Sequence, residues 1–176
     1  MERLADLAVA TFLARVASTE PTPGAGPAGA FALAMGIACA LKAVAITAKH
    51  HATPDPDLDR SAERLAAIGE AARQGADMDA ETFGELIASL RLPHATAQAG
   101  AVRHAAIHAA AAAVVEVAER LIRLSEEAAE LVAGFKDGID PVMAGDVNTA
   151  LRLIEANRLI QTDNLIENRR LMESRP

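Results

Sequence analysis

Apolar positions along the chain recur at three- and four-residue spacing, the pattern of helices that each bury one face. Leu4, Leu7, Ala8, Phe12, Leu13 and Val16 share one stripe, with Glu2, Asp6 and Arg15 off it, which predicts a first helix from about Glu2 to Ala17. It stops at Ser18-Thr19-Glu20. The next seven residues, Pro21-Thr22-Pro23-Gly24-Ala25-Gly26-Pro27, hold three prolines and two glycines and read as a loop, with Pro27 suited to the first position of the following helix. The second helix, about Pro27 to His50, is apolar nearly all round. Such a helix must be covered on every side, either as the centre of the domain or with part of it against a second subunit.

A loop follows from His51 to Asp57, after which Asp57 or Asp59 is the expected cap of a third helix reaching about Leu90, with Gly75 a candidate break. Leu92-Pro93 ends it. A fourth, Ala-rich helix is expected from near Thr96 to about Ala133, long enough to kink, and a fifth from about Ala144 to Met172 after the Gly138 and Pro141 loop. No segment alternates as a half-buried strand does. The expected fold is therefore all-α, a bundle of about five helices around a central Ala/Gly-rich apolar helix, with residues 1–176 forming one domain.

Composition sharpens this picture. Hydrophobic residues make up 51% of the 176, yet aromatics only 2%, with no Trp and no Tyr, so the core must be Ala, Leu, Ile and Val packed helix on helix. The formal net charge of −7, from 17 basic and 24 acidic residues, argues against a nucleic-acid partner. Lys42 interrupts the apolar run from Ala28 to Ala48 short of the roughly 20 apolar residues of a spanning helix, which argues against a membrane partner. No signal peptide is visible, and the one cysteine, Cys39, lies in an apolar run and fits a reducing cytoplasm. His104 and His108 stand four apart on one helix face, as a metal site would want, but without an accompanying ligand pattern they read as ordinary helix residues and no metal is expected.

Several stretches carry a resemblance. Phe12-Leu13, Ala17-Ser18, Pro21-Thr22-Pro23-Gly24-Ala25-Gly26 and Ala34-Met35-Gly36 resemble the opening of the formiminotetrahydrofolate cyclodeaminase and methenyltetrahydrofolate cyclohydrolase family. There a helix leads into Pro-Thr-Pro-Gly-Gly-Gly-Ser and then an Ala/Gly-rich helix. Asp79-Ala80-Glu81-Thr82-Phe83 is similar to the family's Asp-Ala-x-Ala-Phe segment, with Leu92-Pro93 in place of Leu-Pro-Lys. Gly145-Asp146-Val147 stands where the family has Ser-Asp-x-x-Val-Ala, and Asn164 and Asn168 match two asparagines four apart in its last helix.

The resemblance implies an all-α homodimer that takes a tetrahydrofolate derivative as substrate or ligand in one-carbon metabolism, with no metal or redox cofactor. It implies a lyase releasing ammonia from 5-formiminotetrahydrofolate, or a hydrolase opening the 5,10-methenyl bridge. Asp79 and Asp146 are then the candidate catalytic carboxylates, and Thr22, Pro23, Gly24, Gly26, Lys49, His50, Asn164 and Asn168 the candidate ligand contacts. The chain departs from the family pattern at the same places. Ala25 replaces the middle glycine, Pro27 the residue after the triplet, and Lys49-His50-His51-Ala52-Thr53 a Gly-Lys-Lys-Lys-Tyr cluster suited to carboxylates. These departures motivate the alternative expectation, a non-catalytic folate-binding or regulatory relative that keeps the helical dimer.

Overall fold

The structure is a computed structural model that describes residues 2–50 and 55–173, with side chains up to residue 170. Its described residues form helices α1 (Val9–Val16), α2 (Ala25–His50), α3 (Pro56–Leu90), α4 (Ala97–Phe135) and α5 (Ala144–Glu173), joined by short 3-10 turns and loops, and include no strand. The expected all-α bundle is present. Four of the helices form a ring in chain order: α2 packs on α3 and α5, and α4 packs on the same two from the opposite side. Short connections make sequential helices antiparallel neighbours.

Three local expectations are corrected. The first helix is broken into a 3-10 turn at Leu4–Asp6 and α1, because the chain bends at Leu7 to seat buried Leu4 against α3. There the Leu4 amide donates to Asp77 Oδ1 at 2.6 Å, and Arg3 pairs with Glu70 and Asp77. The cap of α3 is Asp55, not Asp57 or Asp59: its carboxylate accepts the Asp57 and Leu58 amides at 3.0 and 3.2 Å, with Pro56 in the first helical position. Residues 51–54 of the expected loop lie outside the described residues. Finally, α3 runs through Gly75 unbroken, because that glycine serves packing: a Cβ there would lie 2.7 Å from Leu121 of α4.

The place of α2 also differs from the axis expected of it. It occupies a corner of the ring, barely touching α4. Its inner face carries Leu33, Ile37, Ala40 and Val44 into the main core, beside Leu65, Ile68 and Ile154. Glycines bring its neighbours close. At Gly36 a Cβ would stand 2.9 Å from the Ala150 carbonyl oxygen of α5. Helix α2 is long and apolar enough to cross a membrane by length and composition, yet here its Gly/Ala face is buried between α3 and α5.

Packing at Gly36 and the open space at Gly84, where nothing lies within 4 Å of a built Cβ, make opposite predictions. Gly36→Val forces a side chain against backbone and should destabilise the protein by about 1–3 kcal/mol. Gly84→Ala should stabilise it by about 0.5–1 kcal/mol, as expected for replacing a mid-helix glycine. Paired urea or thermal unfolding curves check both.

Candidate functional site

A pocket of about 270 Å³ opens over the N-terminal end of α2. Its floor is the turn containing Thr22 and Gly24 together with Ala25 and Gly26, the first residues of α2; α3 supplies Asp79 and Phe83 on one side, and α5 supplies Asn164 and Asn168 on the other. Prolines in the turn keep the chain from continuing α1, and the Ala28 amide closes on the Gly24 carbonyl at 3.2 Å to start α2. Pro27 is buried in that first turn, where its missing N–H costs no helical hydrogen bond. The Ala25 and Gly26 N–H groups have no acceptor earlier in their own helix and face out along its axis, which suits them to a polar or anionic ligand group.

Asp79 is the chemically unusual residue. It is only 8% exposed, and its carboxylate neither accepts a hydrogen bond nor meets a cation among the described residues. Burial alone pushes its pKa up from 3.8 to about 6. No Lys or Arg lines the pocket. The carboxyl can sit this close to α2 only because residue 26 is glycine, since a Cβ there would lie 2.3 Å from the Asp79 carboxyl atoms. Ala25, in contrast, is exposed, and no described residue has a positive φ, so the substitution of the middle glycine imposes no backbone strain. Gly26, the glycine that the geometry requires, is retained.

Helix α5 holds the floor in place through buried amides. Gln161, fully buried, donates from Nε2 to the Gly26 carbonyl at 3.0 Å and to Asn157 Oδ1 at 3.1 Å. Asn157 donates in turn to Ser125 Oγ at 2.8 Å and the Leu121 carbonyl at 3.3 Å on α4. Toward the pocket, Asn164 donates to Gln161 Oε1 at 3.4 Å, and Asn168 donates to the Asn164 carbonyl at 2.8 Å. Buried amides must be paired, so this ladder fixes the floor against α4 and α5.

Of the residues expected from sequence, the structure brings together Thr22, Gly24, Gly26, Asp79, Asn164 and Asn168; Pro23 is buried beside them but does not line the pocket. Three others lie elsewhere in the same chain. Asp146 opens α5 and pairs with Lys42 at 3.2 Å, about 20 Å along that helix from Gln161. Lys49 and His50 end α2, about 35 Å from Gly26, where His50 Nδ1 lies 2.7 Å from Asp140. Gln161, Asn157 and Phe83 belong to the site or its support and were not anticipated. The signal for the amides was present: Asn157, Gln161, Asn164 and Asn168 repeat at four-, three- and four-residue steps down one face of α5. The rings of His104 and His108 are 6.5 Å apart, and no group of three His, Cys, Asp or Glu side chains able to hold a metal occurs among the described residues.

The chain is thus an all-α bundle with a buried carboxylate facing the start of a glycine-cleared helix. The sequence profile of the family described as Formiminotransferase-cyclodeaminase matches residues 8–172, and the chain belongs to that family. The same fold is seen in the crystal structure of formiminotetrahydrofolate cyclodeaminase from Thermotoga maritima, with a TM-score of 0.83 at 21% identity over 95% of this chain and 80% of that one. No curated protein matches the sequence.

The buried carboxylate makes a stability prediction. Moving from 3.8 to about 6 corresponds to a penalty of about 3 kcal/mol on the ionised form in the folded state. A carboxyl whose folded pKa is raised favours folding below its unfolded value, and that advantage is lost as pH rises through about 6. Asp79→Asn should therefore be more stable than the parent at pH 8 by up to about 3 kcal/mol, with the gain disappearing below pH ~4. Denaturant unfolding across pH measures it.

Proposed function

We propose that the chain acts on a tetrahydrofolate derivative in one-carbon metabolism, as a cyclodeaminase or methenyl cyclohydrolase, with Asp79 as its proton-transfer group. The observation that carries this reading is the unpartnered, buried Asp79 carboxyl in the pocket, whose pKa of about 6 suits an acid or base working near neutrality. Ring closure onto a formimino carbon expels ammonia, and the departing nitrogen needs a proton. Opening a methenyl bridge with water needs a proton removed. One carboxyl poised near neutrality serves either step, and its ionised form stabilises the amidinium-like cation that both reactions share. Such a cation beside Asp79 replaces the missing counter-charge, so the carboxyl gains in the complex what burial costs it in the free protein.

The Ala25 and Gly26 N–H groups and the Asn164 and Asn168 side chains are the polar contacts for the flat, amide-bearing pterin, and Phe83 offers a ring to its face. A second reading has one specific observation in its favour. Since no Lys or Arg lines the pocket of a single chain, the carboxylate tail of a folate finds no cation there, as in a relative that retains the pocket without turnover. The protein is further read as a homodimer, because the outer side of α2 and nearly all of α1 carry exposed apolar residues.

Turnover is read from the near-ultraviolet absorbance of 5,10-methenyltetrahydrofolate, formed from the 5-formimino compound or lost by hydrolysis. Asp79→Asn should lower kcat by about 100-fold or more, the usual contribution of a general acid or base, while folate binding persists. Binding without turnover in the parent protein would establish the second reading, and no binding of either compound would end the folate assignment.

A further inference from the structure

The buried amides under the pocket form a chain that ends on a backbone carbonyl at each side, and a carbonyl oxygen can only accept. At one end the Leu121 carbonyl takes Ser125 Oγ at 3.1 Å and Asn157 Nδ2 at 3.3 Å. At the other the Gly26 carbonyl takes Gln161 Nε2 at 3.0 Å. Each end therefore calls for an amide nitrogen, and the Asn157 oxygen is left to accept the second Gln161 proton at 3.1 Å. Helix α2 makes room for this junction at Gly29, where a Cβ would lie 2.9 Å from Asn157 Oδ1 and 3.1 Å from Gln161 Nε2.

With both Nε2 protons used, Gln161 has only its oxygen left to offer, and Asn164 Nδ2 donates to it at 3.4 Å. A planar amide that turns its nitrogen to Gln161 turns its oxygen the other way. Asn164 lines the pocket, and its Oδ1 accepts from no described residue. Asn168 repeats the arrangement. Its Nδ2 donates to the Asn164 carbonyl at 2.8 Å, and its Oδ1 accepts from no described residue although the side chain is buried. Among the described residues no fully buried side-chain oxygen or nitrogen lacks a partner, so this oxygen keeps an opening, and the pocket is what Asn168 lines. The α5 wall thus offers oxygen acceptors, while the floor offers the N–H groups of Ala25 and Gly26.

We propose that Gln161 is a positioning residue that sets the polarity of this wall: it turns the Asn164 oxygen to the pocket, so that the ligand edge meeting α5 carries N–H donors. This rests on the pocket taking a reduced folate, and it fixes which edge of that ligand faces α5. The 2-amino-4-oxo edge of a pterin presents an oxygen, then a ring N–H, then an amino group. The oxygen suits the N–H groups of the floor, and the two nitrogens suit the α5 acceptors. A 2-oxo edge, as in a lumazine, would set oxygen against oxygen there.

The test compares equilibrium binding of 5,10-methenyltetrahydrofolate with that of its analogue carrying oxygen in place of the 2-amino group. The parent should bind the amino compound about 10–100-fold more tightly, as expected when a buried polar group loses its partner. Gln161→Met frees the Asn164 amide to turn, and the preference should fall by about tenfold. Asn164→Ala should lower it as much, and adding Gln161→Met to Asn164→Ala should lower it no further, since Gln161 acts through Asn164. Equal weakening of both compounds by Gln161→Met, with the preference unchanged, would show a merely structural role and overturn the proposal. A parent without preference would do the same. If Gln161→Met does not fold, Asn164→Ala decides, and an unchanged preference there is the contrary result. The polarity is also read without ligand, as a scalar coupling across the hydrogen bond from the Gln161 side-chain nitrogen to the Gly26 carbonyl carbon in isotope-labelled parent protein. That coupling should be present, and its absence overturns the assignment of Gln161. If neither compound binds, the folate reading falls together with the donor edge assigned to its ligand, while the coupling still decides what Gln161 does.

Discussion

The approach of the Asp79 carboxyl to the first turn of α2 is the contact on which the rest of the site depends. It exists because residue 26 lacks a side chain: a methyl group there would occupy the carboxyl's own space, 2.3 Å from its atoms. The close approach takes most of the Asp79 carboxyl out of water without offering a counter-charge, and that desolvation lifts its pKa to about 6. Glycine at one position thus sets local packing and, through packing, the proton affinity of the group most able to do chemistry.

The surrounding bundle spends its polar interior on holding that contact. Gln161, Asn157 and Ser125 are fully buried in a domain whose core is mostly Ala, Leu, Ile and Val. Together they tie the Gly26 carbonyl to α4. A buried amide left unpaired costs more than a well-made hydrogen bond contributes, so the ladder tolerates little sliding of α5 along α2. A rigid floor under an uncompensated carboxylate is a stability cost concentrated where a cationic ligand or transition state would remove it.

How much of this was legible in the sequence follows from the range of each interaction. Helices α2 to α5 could be read because their signals are local: apolar periodicity, prolines at starts and ends, Thr96 capping α4. The break before α1 could not, because its cause is a contact between Leu4 and Asp77, distant in sequence. The cap of α3 slipped to Asp55 since several acidic residues crowd that turn and only geometry selects one. At the site, the turn, Asp79 and two α5 asparagines were visible through family resemblance. Gln161 was missed although it shares their stripe, because a lone glutamine on a helix more often faces solvent. Lys49 and His50 lie about 35 Å from Gly26 because the helix expected from Pro27 to His50 is itself that long, a separation that a residue-by-residue resemblance does not weigh.

The most direct test of the account is the titration of Asp79 itself, followed by carboxyl-carbon NMR in protein labelled at aspartate and assigned by comparison with Asp79→Asn. The account predicts an inflection near pH 6 in the free protein, moving downward when a cationic reduced folate saturates the pocket. An inflection near the ordinary 3.8 in the free protein, unchanged by folate, would contradict it.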